Sequence, residues 1–342
     1  LIQNGDDMKT EIKTKLKSSV WFVPVLFFLS ALLLIFSLGV GYYNLGFKQV
    51  IEFFLDKTTD PSARGIIMNI RLPRVLSAYF IGAALSASGA AYQGVFKNPL
   101  VSPDILGVAT GAGVGAALAI LLGLSYFFIQ SFAFIFGLVA VTLSYFLSIN
   151  VKFNRKVSMV LAGTMVGALC FSIISMMKYF ADTNGELPEI TYWLMGSLSK
   201  TSMNSLFFSV PIMALGLLGL MLIRNRLNVL TLSDEESKSL GVDPKKNMRF
   251  VIISSTLLCS GAVSLGGTIG WVGLMVPHIA RGIVGSEYGK LLPVSAMIGG
   301  IFLLLIDNMA RTLFIMEVPI GLLISFIGAP FFYMLIRKGG LK

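Results

Sequence analysis

Arg71-Leu72-Pro73-Arg74 opens an apolar run, and Asn98-Pro99-Leu100-Val101-Ser102-Pro103 closes it. Between them Gly82, Ser86, Ala90 and Gly94 recur at four-residue spacing, and Gly107, Gly111 and Gly115 repeat the pattern in the next run. That spacing puts each set on one face of a helix. Stripes of small residues let helix backbones approach closely, which matters most in lipid, where van der Waals contact rather than water exclusion drives association. The stripes predict tight helix packing. Lining a pore is compatible with them but does not follow from them.

Composition points the same way. Of the 342 residues 55% are hydrophobic and 13% charged, against roughly one-quarter charged in ordinary soluble domains. The net charge of +10 would suggest nucleic acid in a soluble chain. Here the basic residues lie in short loops between apolar runs, as the positive-inside bias predicts, so no nucleic-acid partner is expected. Cys170 and Cys259 lie within apolar runs with no Cys or His at ligand spacing, and they read as packing residues. No cleavable signal peptide is evident, because Val20–Val40 is too long for a typical signal core and lacks a small-residue cleavage site. Met8 is a candidate natural start, and Leu1–Asp7 are given no function.

Crossing about 30 Å of hydrocarbon takes roughly 20 apolar residues. Ten runs qualify: 20–41, 74–96, 104–123, 126–149, 157–180, 202–223, 248–266, 268–285, 291–310 and 320–336. The expected fold is an all-α polytopic membrane protein of about ten transmembrane helices. A tail, 1–19, precedes a single domain, 20–338. Within 248–285, Gly266-Gly267 must turn the chain between two short helices. Lys9/Lys13/Lys15/Lys17, Lys152/Arg155/Lys156, Arg224/Arg226, Lys245/Lys246/Arg249 and Arg337/Lys338/Lys342 fall on one side, which places both termini in the cytoplasm.

Two connections are longer. In 42–73, Phe47, Val50, Ile51, Phe54 and Leu55 make an amphipathic stretch suited to a helix lying at the membrane interface. The inner loop 224–247 contains Leu232-Ser233-Asp234-Glu235-Glu236-Ser237-Lys238-Ser239-Leu240-Gly241. Ser233 followed by Glu236 is a capping box, and Gly241 is a helix stop. The resulting helix is too short to stand alone and needs a partner surface.

Arg71, Arg74 and Arg311 fall on the outer side, against the trend. An ion pair of Arg311 with Asp307 one turn earlier, or contact with lipid headgroups, accounts for them. So does a socket for the carboxylates of an outer partner. His278, the single histidine, lies beside Pro277 with no acidic or sulfur partner at i±3 or i±4, which favours a structural role over a metal site. Deep in the runs little is ionisable beyond Asp307 and Lys178, whereas ion-coupled carriers bury such groups. No phosphate-binding Gly-rich loop of the Walker type is present. These absences imply a conduit driven by a partner. A polytopic membrane enzyme would need paired carboxylates, His clusters or an activated Ser at membrane depth, and is disfavoured.

The ordered motifs resemble the FecCD permeases, the membrane subunits of type II ABC importers for iron-siderophores, haem and vitamin B12. They are Arg71-Leu72-Pro73-Arg74, Gly82-Ala83-Ala84-Leu85, Gly94-Val95-Phe96-Lys97-Asn98-Pro99-Leu100, Pro103-Asp104-Ile105-Leu106-Gly107 and Gly111-Ala112-Gly113. Tyr192-Trp193-Leu194-Met195-Gly196-Ser197, Val276-Pro277-His278-Ile279-Ala280-Arg281, Asp307-Asn308-Met309-Ala310-Arg311, Glu317-Val318-Pro319-Ile320-Gly321 and Gly328-Ala329-Pro330 continue the likeness. It covers roughly residues 40 to 338.

The resemblance implies a homodimer, or a pair with a paralogue, in the cytoplasmic or inner membrane. It also implies a cytoplasmic ABC ATPase dimer and an extracytoplasmic substrate-binding protein that presents Glu residues. No cofactor is expected on this chain; ATP and Mg belong to the ATPase. Arg71, Arg74 and Arg311 match the family's docking arginines. Leu232, Ser233, Asp234, Glu235, Glu236, Leu240 and Gly241 match its ATPase-coupling helix. Asn98, Pro99 and Leu100, with the turn Lys156, Val157 and Ser158, fall where the family closes its inner gate. A permease for a smaller cargo, such as molybdate or a metal ion, is the alternative within this class.

Overall fold

The computed structural model describes residues 22–41, 43, 45–55, 61–149, 151, 154–313 and 316–337. The expected tail 1–19 lies outside them, as do the basic residues Lys9, Lys13, Lys15, Lys17, Lys152, Lys338 and Lys342. Among the described residues the regular structure is entirely helical.

In chain order the helices begin with α1 (Phe22–Gly39), α2 (Phe47–Phe54) and α3 (Pro61–Ile66). A π-helical turn, Ile67–Arg71, runs directly into α4 (Leu72–Phe96), and a 3-10 turn, Pro103–Leu106, precedes α5 (Val108–Leu121). Then come α6 (Tyr126–Ile149), α7 (Arg155–Phe180), α8 (Glu186–Leu194), α9 (Met203–Leu230) and α10 (Asp234–Ser239). The chain finishes with α11 (Pro244–Gly266), α12 (Val272–Val284), α13 (Tyr288–Thr312) and α14 (Ile320–Arg337).

Among the described residues seven helical segments are long and apolar enough to cross a membrane, and three shorter apolar helices correspond to α5, α12 and α14. All ten expected runs are therefore helical. At 1.5 Å per residue α5 and α12 span only about 20 Å. A 3-10 turn extends α5, and a non-helical stretch, 267–271, leads into α12. That stretch is where a Gly-Gly turn was expected: Gly267 takes φ +72°, its amide closing α11 by donating to the Val263 carbonyl at 2.8 Å.

The helices overrun their apolar windows because caps, not hydropathy, set their ends. Asn154, Ser202, Ser233 and Asp243 each accept a first-turn amide through the side chain and start α7, α9, α10 and α11. Pro244 follows its cap at the first helical position, where a missing N–H is harmless.

α4 sits at the centre. Every residue from Ile81 to Phe96 is buried, and 78% of the best apolar window of its segment is covered by other helices, against 22% for α1. α13, α11, α12 and α9 pack around it, and α5 packs on α6 and α7. The small residues explain how. A Cβ on Gly82 would lie 2.1 Å from the Gly299 carbonyl oxygen of α13, and one on Gly89 would lie 1.8 Å from that of Gly273 in α12. Backbone touches backbone at both crossings; Gly82 belongs to the predicted stripe, whereas Gly89 lies outside it.

Candidate functional site: the two ends of the central helix

At its Arg74 end, α4 gathers the three arginines into one corner. α1 ends at Gly39, so its last carbonyls lack partners within the helix. Arg71 donates to the carbonyls of Leu38, at 2.7 Å, and Tyr43. Arg311 donates to the carbonyl of Val40 at 2.8 Å and to Asn308 Oδ1. Two guanidiniums thus cover the negative end of the α1 dipole. Arg74 forms ion pairs with Asp307 at 2.8 Å and with Glu317 at 2.6 Å, and Arg311 reaches Asp307 at 3.0 Å. Asp307, fully buried, is held between two cations, which is what makes a carboxylate tolerable at that depth.

All three arginines are buried, at 4, 5 and 7% exposure. Each donates within the chain, and with so little exposure the corner offers no open guanidinium face. Glu317, whose side chain is 42% exposed, is the one carboxylate of this network that reaches the surface. Sequence reading quoted Glu317 within a motif but gave it no role. No local spacing signals the role, because its partner Arg74 lies 243 positions away.

At the opposite end α4 stops at Lys97, whose backbone is left-handed (φ +53°). The Lys97 amide donates to Gly94 and that of Asn98 to Gln93, both at 3.1 Å. Asn98 Oδ1 then accepts the Leu100 amide at 2.9 Å, so Asn98-Pro99-Leu100 is a tight turn that leaves Leu100 48% exposed. The Lys97 ammonium reaches across and donates to the Leu232 carbonyl, immediately before the cap of α10.

α10 has the expected capping box. Ser233 Oγ accepts the Glu236 amide at 3.2 Å, and Glu236 Oε2 accepts the Ser233 amide at 2.8 Å. The Ser233 hydroxyl, then its amide, hold the Glu236 carboxyl below the usual carboxylate range. At the other end Gly241 takes φ +76°. The buried Ser237 ties α10 to α9 by donating to the Val229 carbonyl at 2.8 Å. Asp234, Glu235 and Glu236 are exposed, and so are Leu232 and Leu240, at 40 and 61%. An exposed short helix flanked by two leucines is a surface without its complement.

A cavity of about 550 Å3 joins these pieces: Lys97 from α4, Lys156 and Val157 from α7, Asp234 from α10 and Lys245 from α11. Ser158, the next residue, is buried. A neighbouring cleft of about 470 Å3 is lined by Lys97, Asn98, Pro99, His278 and Arg281. Arg281 donates to Gln93 Oε1 at 2.6 Å and so fixes the α12 side of that cleft to α4. The structure therefore brings Asn98–Leu100, the Lys156–Ser158 turn and the α10 loop, the segments expected at a gate and at an ATPase contact, together around Lys97, to which the sequence alone assigns no role.

Comparison with known proteins agrees with this architecture. The model of the FecCD transport family matches residues 28–338. The chain belongs to the FecCD transport family. A molybdate import system permease protein from Haemophilus influenzae is 38% identical over 94% of this chain and 98% of its own length. A hemin transport system permease protein from Yersinia pestis is 36% identical over 91% of this chain and 94% of its own. An inward-facing solved ABC transporter assigned to the metal-chelate type superposes with a TM-score of 0.85 at 36% identity, covering 92% of this chain and 98% of that one. This FecCD chain is thus an all-helical, multi-span membrane protein of the ABC importer permease class.

Proposed function

We propose that this FecCD chain is the membrane path of an ATP-driven importer. A second permease subunit, most simply another copy, completes the path. An ABC ATPase dimer binding ATP and Mg docks at the Lys97 end, in the cytoplasm, and an extracytoplasmic substrate-binding protein docks at the Arg74 end. Supporting that orientation, Arg155, Lys156, Arg224, Arg226, Lys245, Lys246 and Arg249 flank the Lys97 end. The observation that carries the reading is the capped, exposed α10 joined through Lys97 to the end of the most buried helix. Force applied to α10 reaches the Asn98–Leu100 turn and, across the cavity, Lys156–Ser158.

At the other end Arg71, Arg74 and Arg311 mark the docking corner. A carboxylate of the binding protein gains Arg74 by displacing the exposed Glu317, exchanging one ion pair for another. Because the two states differ in which carboxylate holds Arg74, docking biases the conformation of the 316–319 segment.

The cargo we propose is a metal chelate of the iron-siderophore, haem or cobalamin kind. α7 carries no charge between Val157 and Met177 and exposes Leu161, Met165, Leu169 and Met176, a wall suited to a bulky chelate. A second reading, molybdate, rests on the 38% identity to the Haemophilus influenzae protein. The test is reconstitution in vesicles with cognate ATPase and binding protein. Uptake is expected only with all three and ATP, for chelate and not molybdate. ATP-dependent uptake by this chain alone overturns the reading, and uptake of molybdate transfers it to the second cargo.

A further inference from the structure

Between α6 and α11 an apolar cleft of about 440 Å3 opens on the flank of the bundle, with its Tyr145 end on the Lys97 side of the molecule. The two helices run antiparallel: Tyr126 Oη donates to the Leu265 carbonyl, and Gly137 lies against Ser260 Oγ. Tyr145, Phe146 and Arg249 therefore line one end of the cleft, and Leu138 and Leu257 the other. Eight residues of helix make that slot about 12 Å long. Its walls are hydrocarbon apart from Thr142, Thr256 and the Tyr145–Arg249 end. It opens beside Phe146 and Ile253, 60 and 62% exposed.

The chemistry of the two ends differs. At the Tyr145 end Arg249 is exposed, and Arg155 of α7 donates to Tyr145 Oη at 3.0 Å with its guanidinium 5.7 Å from the ring centre. Among the described residues neither arginine has a carboxylate within ion-pair distance. Two guanidiniums thus border the mouth of a narrow apolar slot, at the end of the bundle where basic residues concentrate. A slot of that length and lining suits an acyl chain, and the cations at its mouth suit a phosphate without a compensating ammonium. Basic pockets between transmembrane helices recognise anionic headgroups in this way.

We propose that the α6–α11 cleft binds one anionic phospholipid, with an acyl chain along Val141, Ile252 and Ile253 and its phosphate between Arg249 and Arg155. The full-length chain, purified in mild detergent, is incubated with phosphatidylglycerol or with phosphatidylcholine of identical acyl chains, and retained lipid is counted by native mass spectrometry. Phosphatidylglycerol is expected to be retained at one per chain, about fivefold or more over phosphatidylcholine, the discrimination one or two surface cations supply. Arg249→Gln removes most of that preference, and Arg249→Lys keeps it. Ile253→Trp, which fills the slot from its exposed rim, lowers retention of both lipids. Equal retention of the two lipids by the unmodified chain, or retention indifferent to both Arg249→Gln and Ile253→Trp, overturns the proposal. So does disulfide formation between two Ile253→Cys chains in membranes, which would mean that a second copy covers the cleft.

Discussion

At the scale of single residues, the Arg74 corner is governed by the difference between removing one charge and removing a pair. Asp307 is buried between Arg74 and Arg311, and neither arginine can shed its charge. Asp307→Asn leaves Arg74 with only the half-exposed Glu317 and puts two cations beside a neutral amide. The expected loss is about 3–5 kcal/mol, the range for breaking a buried ion pair from one side, read as a lowered midpoint of thermal unfolding in detergent. The double change Arg74→Met with Asp307→Leu restores most of it, because Arg311 keeps the Val40 carbonyl and Asn308. A single change with no effect on the midpoint would mean that the corner is held by backbone packing alone.

At the scale of elements, α10 is six residues long, so its ends decide whether it exists. The Glu236 carboxyl is held below the usual range by the Ser233 hydroxyl and amide. A carboxylate whose folded value is lowered contributes stability above its ordinary value, about 4.3. That contribution is lost as pH falls through the lowered value. Amide exchange at Ser237 and Leu240, corrected for intrinsic rates, should therefore be protected at neutral pH and lose protection below about pH 4. Glu236→Gln keeps the capping box and removes the pH dependence, whereas Ser233→Ala, which loses both the cap and the hydroxyl that lowers the Glu236 carboxyl, speeds exchange about fivefold at neutral pH and by less below about pH 4. The same pH profile in Glu236→Gln would sink the assignment.

This element was legible in the sequence because capping is local: Ser233, Glu236 and Gly241 carry it within nine positions. The ten apolar runs were legible for the same reason, and the stripe Gly82/Ser86/Ala90/Gly94 predicted close packing. Which helix it packs on could not be read, since Gly299 lies more than 200 positions away. The i, i+4 pair Arg311–Asp307 was readable, whereas Arg74–Asp307 and Lys97–Leu232 are tertiary pairings that no periodicity encodes. That the arginines would be enclosed, not open, depended on where α1 ends, which hydropathy located only to within a few residues.

At the scale of the whole molecule, the proposed function requires two surfaces at opposite ends of α4 to respond to each other, and the packing of α4 suits it to transmit. It is the most enclosed helix, it meets α12 and α13 backbone to backbone at Gly89 and Gly82, and such contacts move as a unit rather than deform. Lys97 is its point of attachment to α10, in a left-handed conformation that a lysine adopts only when its surroundings hold it there. Lys97→Met keeps the aliphatic stem and deletes the bond to Leu232. In the reconstituted assembly ATP hydrolysis should stay within about twofold while cargo moved per ATP falls about tenfold, the size of a typical coupling free energy. Lys97→Arg, which can still donate to Leu232, should recover most of the coupling. Lys97→Gly relaxes the left-handed backbone but lacks the ammonium, so it should behave like the methionine variant. Undiminished transport per ATP in Lys97→Met would show that α10 drives the gate by another route, with α11, joined to it through Val242 and Asp243, the next candidate. A parallel fall in hydrolysis and transport would instead assign Lys97 to ATPase docking.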